Sequence, residues 1–283
     1  MEERNYLITL KPKNELLKKQ IAYYYFHVSD NENHSESFYF YPNYLHALTI
    51  YKGNETAVNP TGAIIRPSAN KEKFTFLYTI NFREKAHVDI QGSFHKIGVV
   101  FYPLGFNHFI QKPLNEMMLQ NVQEVVLQED FKRILSTISA NTSIEEQIEI
   151  LENALLSIYT PFQEKNLQHA IKEIILSNGT AKTDELEQLT LVSRKTLLRL
   201  FKKHTLVTIE EYKKMVMFRH SLNYALQQKD QVNLTDIALY NMYYDQSHFI
   251  KHFKSFTKET PKTLLPKIKQ IGDEELYWHF LEN

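Results

Sequence analysis

A chain of 283 residues without a single cysteine excludes disulfides, thiolate metal sites and thiol nucleophiles. Its hydrophobic content of 43% and charged content of 23% are typical of globular proteins, and its length favours two domains. The sequence contains no apolar run long enough for a membrane span and no apolar core of a secretory signal. We therefore expect a cytoplasmic protein with no membrane partner.

The net charge of zero hides an asymmetry along the chain. Residues 1–160 carry 15 basic and 18 acidic side chains, whereas residues 161–270 carry 18 basic and 11 acidic ones. The remaining segment, IGDEELYWHFLEN, is acidic and aromatic. A basic C-terminal region favours a polyanionic partner, either nucleic acid or an anionic surface. The apolar residues of the tail favour its packing against the rest of the protein over a mobile tail.

Short runs rich in Tyr, Phe, Val and Ile recur between residues 21 and 102, and turn-forming segments such as KGNETAVNPTG separate them. This pattern predicts strands of a small antiparallel β-barrel, inside an N-terminal domain of residues 1–160 whose part 103–160 is helical. The abundant aromatic residues either line an apolar pocket or fill the core. They are Tyr23, Tyr24, Tyr25, Phe26, Phe38, Tyr39 and Phe40.

The segment SIEEQIEILENALLSIY has the spacing of an amphipathic helix. Ser143 and Glu146 stand where a capping box requires them. An apolar stripe of Ile144, Ile148, Leu151, Leu155 and Ile158 runs along one face. The stripe either forms a dimer contact or covers the open side of the barrel.

From Pro161 onward the sequence predicts helices alone, and no further strand. We expect four helix starts to be capped. The caps are Ser193, Asp245, Thr208 with Glu211 as a capping box, and Thr260 before a proline. The expected helices span 163–177, 184–191, 194–204, 209–228, 234–241, 246–256 and 261–269.

A pattern occurs twice in this region: a short helix, a tight break, and a helix that is basic on one face and apolar on the other. The first copy is DELEQLTLVSRKTLLRLFKKH and the second is LTDIALYNMYYDQSHFIKHFKSF. Two helix-turn-helix units leave such a repeat. The joining helix of about 20 residues spans roughly 30 Å, close to the roughly 34 Å between successive major grooves on one face of a duplex.

The segment IALYNMYYDQSHFIKHFKSFTKETP resembles the most recognisable part of AraC/XylS-type DNA-binding domains, and the resemblance covers about 110 residues. The second unit matches through Ile237, Ala238, Tyr243, Asp245, Gln246, Ser247, His248, Phe249, Phe253, Lys254, Thr260 and Pro261. The first unit matches through Ser193, Leu197, Arg199, Phe201, Lys202 and Tyr212.

Four positions depart from the family, which commonly has glycine where this chain has Leu191, Leu206, Met242 and Lys258. A residue with a Cβ atom is strained where a turn needs positive φ. Either the turns differ from the family's, or the chain gives up some stability there.

The resemblance implies a transcription regulator of α+β class whose residues 161–271 bind double-stranded DNA, followed by the tail 272–283. By the resemblance, the third and sixth helices of this region present base-reading side chains: Lys195, Leu198, Arg199, Gln246, Ser247 and Lys251. Arg194, Lys202, Lys203, Lys213, Lys214 and Lys254 are expected at phosphates, where they fix register without reading sequence.

For the N-terminal domain the resemblance implies effector sensing, dimerisation or both, and it allows RNA polymerase as a further partner. No catalysis and no cofactor are expected. A metal-binding, cupin-like enzyme is disfavoured because His34, His46, His87 and His95 are scattered. His248 and His252 have a spacing that could bind a metal, but no third ligand lies nearby in the sequence, so no metal is expected. A protein-interaction module that keeps the helix-turn-helix fold remains open, although the basic charge argues against it.

Overall fold

The computed structural model describes residues 4–80, 83–139, 142–228 and 233–281, and within them twelve strands form two six-stranded sheets. The first sheet has the order β1 (Asn5–Leu10), β2 (Ile21–Ser29), β9 (Phe94–Phe101), β4 (His46–Lys52), β7 (Phe74–Thr79) and β10 (Val122–Glu124). The second has the order β11 (Lys269–Ile271), β12 (Leu276–Phe280), β3 (Ser35–Phe40), β8 (Ala86–Gln91), β6 (Gly62–Pro67) and β5 (Asn54–Asn59).

The two sheets pack face to face, because alternate side chains of each strand point toward the other sheet. Tyr25 and Leu77 of the first sheet share one buried cluster with Phe38, Ile90 and Trp278 of the second. The opposite face of the first sheet is also buried, so that all nine residues of β2 are inaccessible. The first sheet is therefore the middle layer of the N-terminal region.

Helices cover that opposite face. Short α1 (Leu114–Met117) and α2 (Glu129–Leu135) precede α3 (Ile144–Ser157), whose start has the expected capping box of Ser143 and Glu146. Ile148, Leu151, Leu155 and Ile158 are at most 4% exposed and belong to the core beneath the first sheet. The apolar stripe therefore covers the sheet and does not supply a dimer contact.

The predicted α+β class and the β-rich N-terminal region are confirmed, with differences of detail. The sheets do not close into one hydrogen-bonded barrel within the described residues, and β6 pairs with β8 in parallel. Strand β5 lies inside the segment KGNETAVNPTG, for which the sequence predicts a turn. Its alternating polar residues suit an edge strand that is half exposed. Residues 81–82 of the predicted run KFTFLYTINF lie outside the described residues.

Seven α-helices follow in the described part of the chain. They are α4 (Lys165–Leu176), α5 (Thr183–Thr190), α6 (Arg194–Thr205), α7 (Ile209–Gln228), α8 (Leu234–Tyr240), α9 (Gln246–Thr257) and α10 (Pro261–Leu264). These bounds lie close to the predicted ones except at the last helix, expected over 261–269. It ends early because Pro266 has no N–H to continue the α-helical ladder, and a 3-10 turn follows.

The chain then returns to the N-terminal sheets, which corrects the expectation that no strand follows Pro161. β12 pairs with β3 in register Trp278 to Phe40 and Phe280 to Phe38. Trp278 stacks on Phe38 with ring centroids 4.2 Å apart. The tail thus packs on the rest of the protein as expected, although its last two residues, 282–283, lie outside the described part.

Ion pairs from the loop after β7 add a second connection between the sheets and the helical region. Each of its three consecutive charged residues meets an opposite charge on the helical side. The pairs are Arg83 with Glu211 at 3.2 Å, Glu84 with Lys258 at 3.5 Å, and Lys85 with Glu259 at 3.4 Å.

None of the helices in the described residues combines the length and the hydropathy needed to cross a membrane.

Candidate nucleic-acid interface

Two helix-turn-helix units lie in the C-terminal region, α5 with α6 and α8 with α9, and the 20-residue helix α7 joins them. The second helix of each unit has the expected cap. Ser193 accepts a hydrogen bond from the backbone N–H of Thr196, and Asp245 accepts one from that of His248 at 2.7 Å. Each cap satisfies a donor that the first turn of a helix leaves open.

One face of each of these helices is core. Leu197 and Phe201 in α6 and Phe249 and Phe253 in α9 are fully buried. Phe253 also packs edge to face on Phe218 of α7, with ring centroids 5.5 Å apart. Both helices are therefore held to the helix that joins them, and their opposite faces are left toward solvent.

The six predicted base-reading residues occupy these outer faces. Lys195, Arg199, Gln246, Ser247 and Lys251 are exposed, whereas Leu198 is half-buried. The Thr235 hydroxyl of α8 donates to Gln246 Oε1 at 3.4 Å, which orients that amide before any ligand binds.

The predicted phosphate-binding residues differ in availability. Four of them are exposed: Arg194, Lys202, Lys214 and Lys254. Lys203 is half-buried. None of these five forms an ion pair within the described residues. Lys213 instead pairs with Glu210 at 3.3 Å, and its side chain is only 15% exposed. A phosphate contact by Lys213 would require that pair to open.

The outer faces of α6 and α9 carry unpaired cations. Lys195, Arg199, Lys251 and Lys254 have no carboxylate within ion-pair distance in the described residues, whereas Lys258, at the end of α9, pairs with Glu84 of the N-terminal region. A row of uncompensated charge is the electrostatic footprint expected of a surface that binds a polyanion.

All four positions where the resemblance led us to expect glycine adopt the left-handed conformation. The φ angles are 55° at Leu191, 65° at Leu206, 59° at Met242 and 64° at Lys258. The turns keep the geometry that favours glycine, and the chain accepts backbone strain at each. Leu191 and Met242 are also 90% and 73% exposed, so packing offsets little of that strain.

The histidine pair of α9 is not arranged around a metal ion. Tyr243 Oη lies 2.7 Å from His252 Nδ1, and burial lowers the pKa of His252 to about 4. Across the described ranges, no three His, Asp or Glu side chains are grouped to hold a metal.

A cavity of about 100 Å³ lies between the two sheets. Its lining is mostly aromatic and apolar, and it includes two cationic side chains, Lys96 of β9 and Arg219 of α7. Among the predicted aromatic candidates, Tyr23, Tyr25, Phe38 and Phe40 line it, while Tyr24 and Phe26 face the helices instead.

Lys96 is 3% exposed, and its Nζ lies over three aromatic rings, those of Trp278 at 4.7 Å, Phe38 at 5.0 Å and Tyr25 at 5.3 Å. Burial lowers the pKa of Lys96 to about 8, although nearby Glu36 opposes the shift. The Lys96 ammonium forms no ion pair in the described part of the chain.

Arg219 lines the cavity from the helical side and is 2% exposed. Its Nη2 donates to the backbone carbonyl of Glu275 at 2.6 Å, and its guanidinium lies 4.5 Å from the centre of the Tyr277 ring. Its Nε is buried and donates no hydrogen bond within the described residues. Each cation interrupts an apolar run, HKIGVVF and MVMFRHSL, and that interruption is the sequence signal that could have identified both.

A family model matches part of the helical region. Residues 187–266 match the family model described as a helix-turn-helix domain. No curated protein matches the chain.

Among solved structures, an apo ToxT variant from Vibrio cholerae is 12% identical over 86% of this chain and 96% of its own, with a TM-score of 0.43. Wild-type ToxT from Vibrio cholerae with a bound unsaturated fatty acid is 11% identical over 97% of this chain and 100% of its own, with a TM-score of 0.43.

Proposed function

We propose that this protein, whose residues 187–266 match a helix-turn-helix domain, is a sequence-specific transcription regulator of the AraC type. In this proposal α6 and α9 each enter a major groove of one duplex, and the two grooves are adjacent. The proposal needs neither a cofactor nor a catalytic step.

The observation that carries the proposal is the pair of capped helices with unpaired cations on their outer faces, joined by α7. A helix of 20 residues is about 30 Å long, and successive major grooves on one face of B-DNA lie roughly 34 Å apart. Phe201 of α6 packs on Tyr212 of α7, and Phe253 of α9 packs on Phe218 of α7. These buried contacts fix α6 and α9 relative to α7. One protomer therefore has the dimensions to read two groove segments at once.

We assign different roles to the two sets of polar side chains. Lys195 or Arg199 would donate to guanine O6 and N7, Gln246 would pair with adenine, and Leu198 would offer apolar contact to a thymine methyl. Ser247 and Lys251 complete the base-reading set. The remaining cations would fix register on phosphates.

We assign residues 161–271 to DNA binding and residues 1–160 to sensing, to dimerisation or to both. The tail 272–283 would belong physically with the N-terminal sheets, since β12 pairs with β3 there.

Selection from a random duplex library at two salt concentrations tests this function. We expect enrichment of a site with two short blocks about one helical turn apart. Retention without sequence preference, or no retention at low salt, would favour an interaction module instead. A matched pair of variants strengthens the test. Lys254→Ala should weaken binding to all DNA sequences alike, whereas Gln246→Ala should change the preferred base in one block.

We further propose that the cavity between the sheets is the site of a small-molecule effector. The ligand that suits it has an apolar or aromatic body and one anionic group. Lys96 supplies an ammonium that forms no ion pair in the described residues, and the Nε of Arg219 supplies an N–H that donates no hydrogen bond there. At about 100 Å³ the cavity is smaller than the roughly 150 Å³ that accommodates benzene. A larger ligand would have to displace a wall, and β12 forms one of them.

Thermal unfolding with small acids and their uncharged amides tests the cavity. Acetate and butyrate should raise the melting temperature more than acetamide and butyramide. The variant Lys96→Met should lose that difference while still folding, since methionine fills a similar volume. Equal shifts for acid and amide in the unaltered chain would contradict an anion site.

A further inference from the structure

We propose that the N-terminal region also touches DNA, through Lys112, which extends the phosphate contacts of the first reading helix. This inference rests on the proposed DNA-binding function and adds to it a contact from outside the helix-turn-helix domain.

The segment that carries Lys112 is attached to the C-terminal end of α6. His204 Nδ1 of α6 lies 3.4 Å from Asn107 Oδ1, and the His204 ring packs edge to face on Phe162 at 4.9 Å. Phe162 in turn donates its backbone N–H to His108 Nδ1 at 3.1 Å. Helix α1, which begins two residues after Lys112, packs along α6. The position of Lys112 relative to α6 is therefore fixed by several buried contacts.

Lys112 and Lys203 line the same surface recess of about 200 Å³, together with Gln111 and His204. Lys203 is the third member of a row on α6, because Lys195, Arg199 and Lys203 are spaced four residues apart and so lie on one side of the helix. The recess brings Lys112 to the end of that row. A line of four cations thus begins on the reading helix and ends on the N-terminal region.

The charges near this recess leave Lys112 and Lys203 uncompensated. Neither forms an ion pair in the described residues, and the carboxylate of Glu164 lies 3.7 Å from His204. By contrast, the neighbouring contact between the two regions pairs each of Arg83, Glu84 and Lys85 with an opposite charge. Two like charges that share a recess repel each other, and an anion between them would remove that cost. A backbone phosphate flanking the segment read by α6 has the required charge.

The salt dependence of DNA binding by the full chain tests this contact. Each phosphate contact contributes roughly 0.9 to the slope of log affinity against log salt. Lys112→Gln should lower the slope by about that amount and leave base preference unchanged. Lys71→Gln is the matched control, because Lys71 is an exposed lysine of the N-terminal region without an ion pair in the described residues. Lys202→Gln, on α6 itself, is the positive control.

A slope lowered for Lys112→Gln and Lys202→Gln but not for Lys71→Gln would support the contact. A slope lowered for Lys202→Gln alone would overturn it and leave DNA binding by α6 intact. If the unaltered chain shows no salt-dependent binding, both this inference and the proposed function fail.

Discussion

Arg219 of α7 donates from its guanidinium Nη2 to the backbone carbonyl oxygen of Glu275, 2.6 Å away. Glu275 also accepts a hydrogen bond from Asn223 Nδ2 at 2.7 Å. The helix that joins the two helix-turn-helix units is thus tied to the segment that leads into β12, and both Arg219 and β12 line the cavity between the sheets. A change in occupancy of that cavity would reach α7 through Arg219.

Removing the main aromatic contact of the tail should destabilise the whole chain. Trp278 is 3% exposed and stacks on Phe38, so Trp278→Ala should lower the free energy of unfolding by about 3 to 5 kcal/mol. Urea denaturation measures this loss. Tyr244→Ala, at an aromatic residue that is 90% exposed, should change stability by less than about 0.5 kcal/mol. Equal effects of the two substitutions would show that the tail does not contribute to the folded core.

Replacing a strained turn residue by glycine should stabilise the protein. Leu191 has a φ of 55° and is 90% exposed, so Leu191→Gly should raise the free energy of unfolding by about 0.5 to 1 kcal/mol. Leu189→Gly, two residues earlier in helical α5, should instead cost about 1 kcal/mol. Differential scanning calorimetry separates the two, and the same sign for both would refute the strain at Leu191.

Stability should fall as the pH falls below about 6.5. Burial lowers the pKa of His46 to about 3 and that of His95 to about 4, so the unfolded chain binds more protons than the folded one between those values and 6.5. Each such histidine contributes stability that is complete above about pH 6.5 and is lost by about 1.4 kcal/mol per pH unit below it. Urea midpoints at pH 7.5 and 5.5 measure the loss. His46→Gln should flatten the dependence, and an unchanged profile would exclude His46 as a contributor.

Binding of an anion in the cavity should weaken as the pH rises through about 8. The pKa of Lys96 is lowered to about 8 by burial, and only the protonated form attracts an anion. Calorimetric titration with butyrate at pH 7 and pH 9 should therefore give lower affinity at the higher pH. If the affinity is the same at both values, Lys96 does not supply the charge.

The sequence predicted the helical region well because its local signals agree with its tertiary structure. Ser193, Asp245 and Thr260 cap the helices that follow them, and the apolar residues of α6 and α9 recur at helical spacing. The family resemblance also locates the four turns where glycine is common. The sequence alone does not decide whether those turns are left-handed.

Long-range pairing could not be predicted from local pattern. Strand β12 forms because β3 offers an unpaired edge more than 230 residues away in the sequence. The aromatic run LYWHF does not indicate which strand it pairs with. The cavity was missed for the same reason, since Lys96 and Arg219 are far apart in the chain and meet only after the sheets and α7 have packed. The sequence around Lys112 likewise contains no motif that predicts its position beside α6.

The central claim is that two helices of one protomer read two separate blocks of a duplex. The most direct measurement is selection of preferred sites for the unaltered chain, for Arg199→Ala and for Gln246→Ala. We expect each substitution to relax base preference in one block only, and the two affected blocks to differ. Each should cost about 1 to 3 kcal/mol of binding free energy on the original site. Relaxation of the same block by both variants, or no change in preference with either, would contradict reading by α6 and α9.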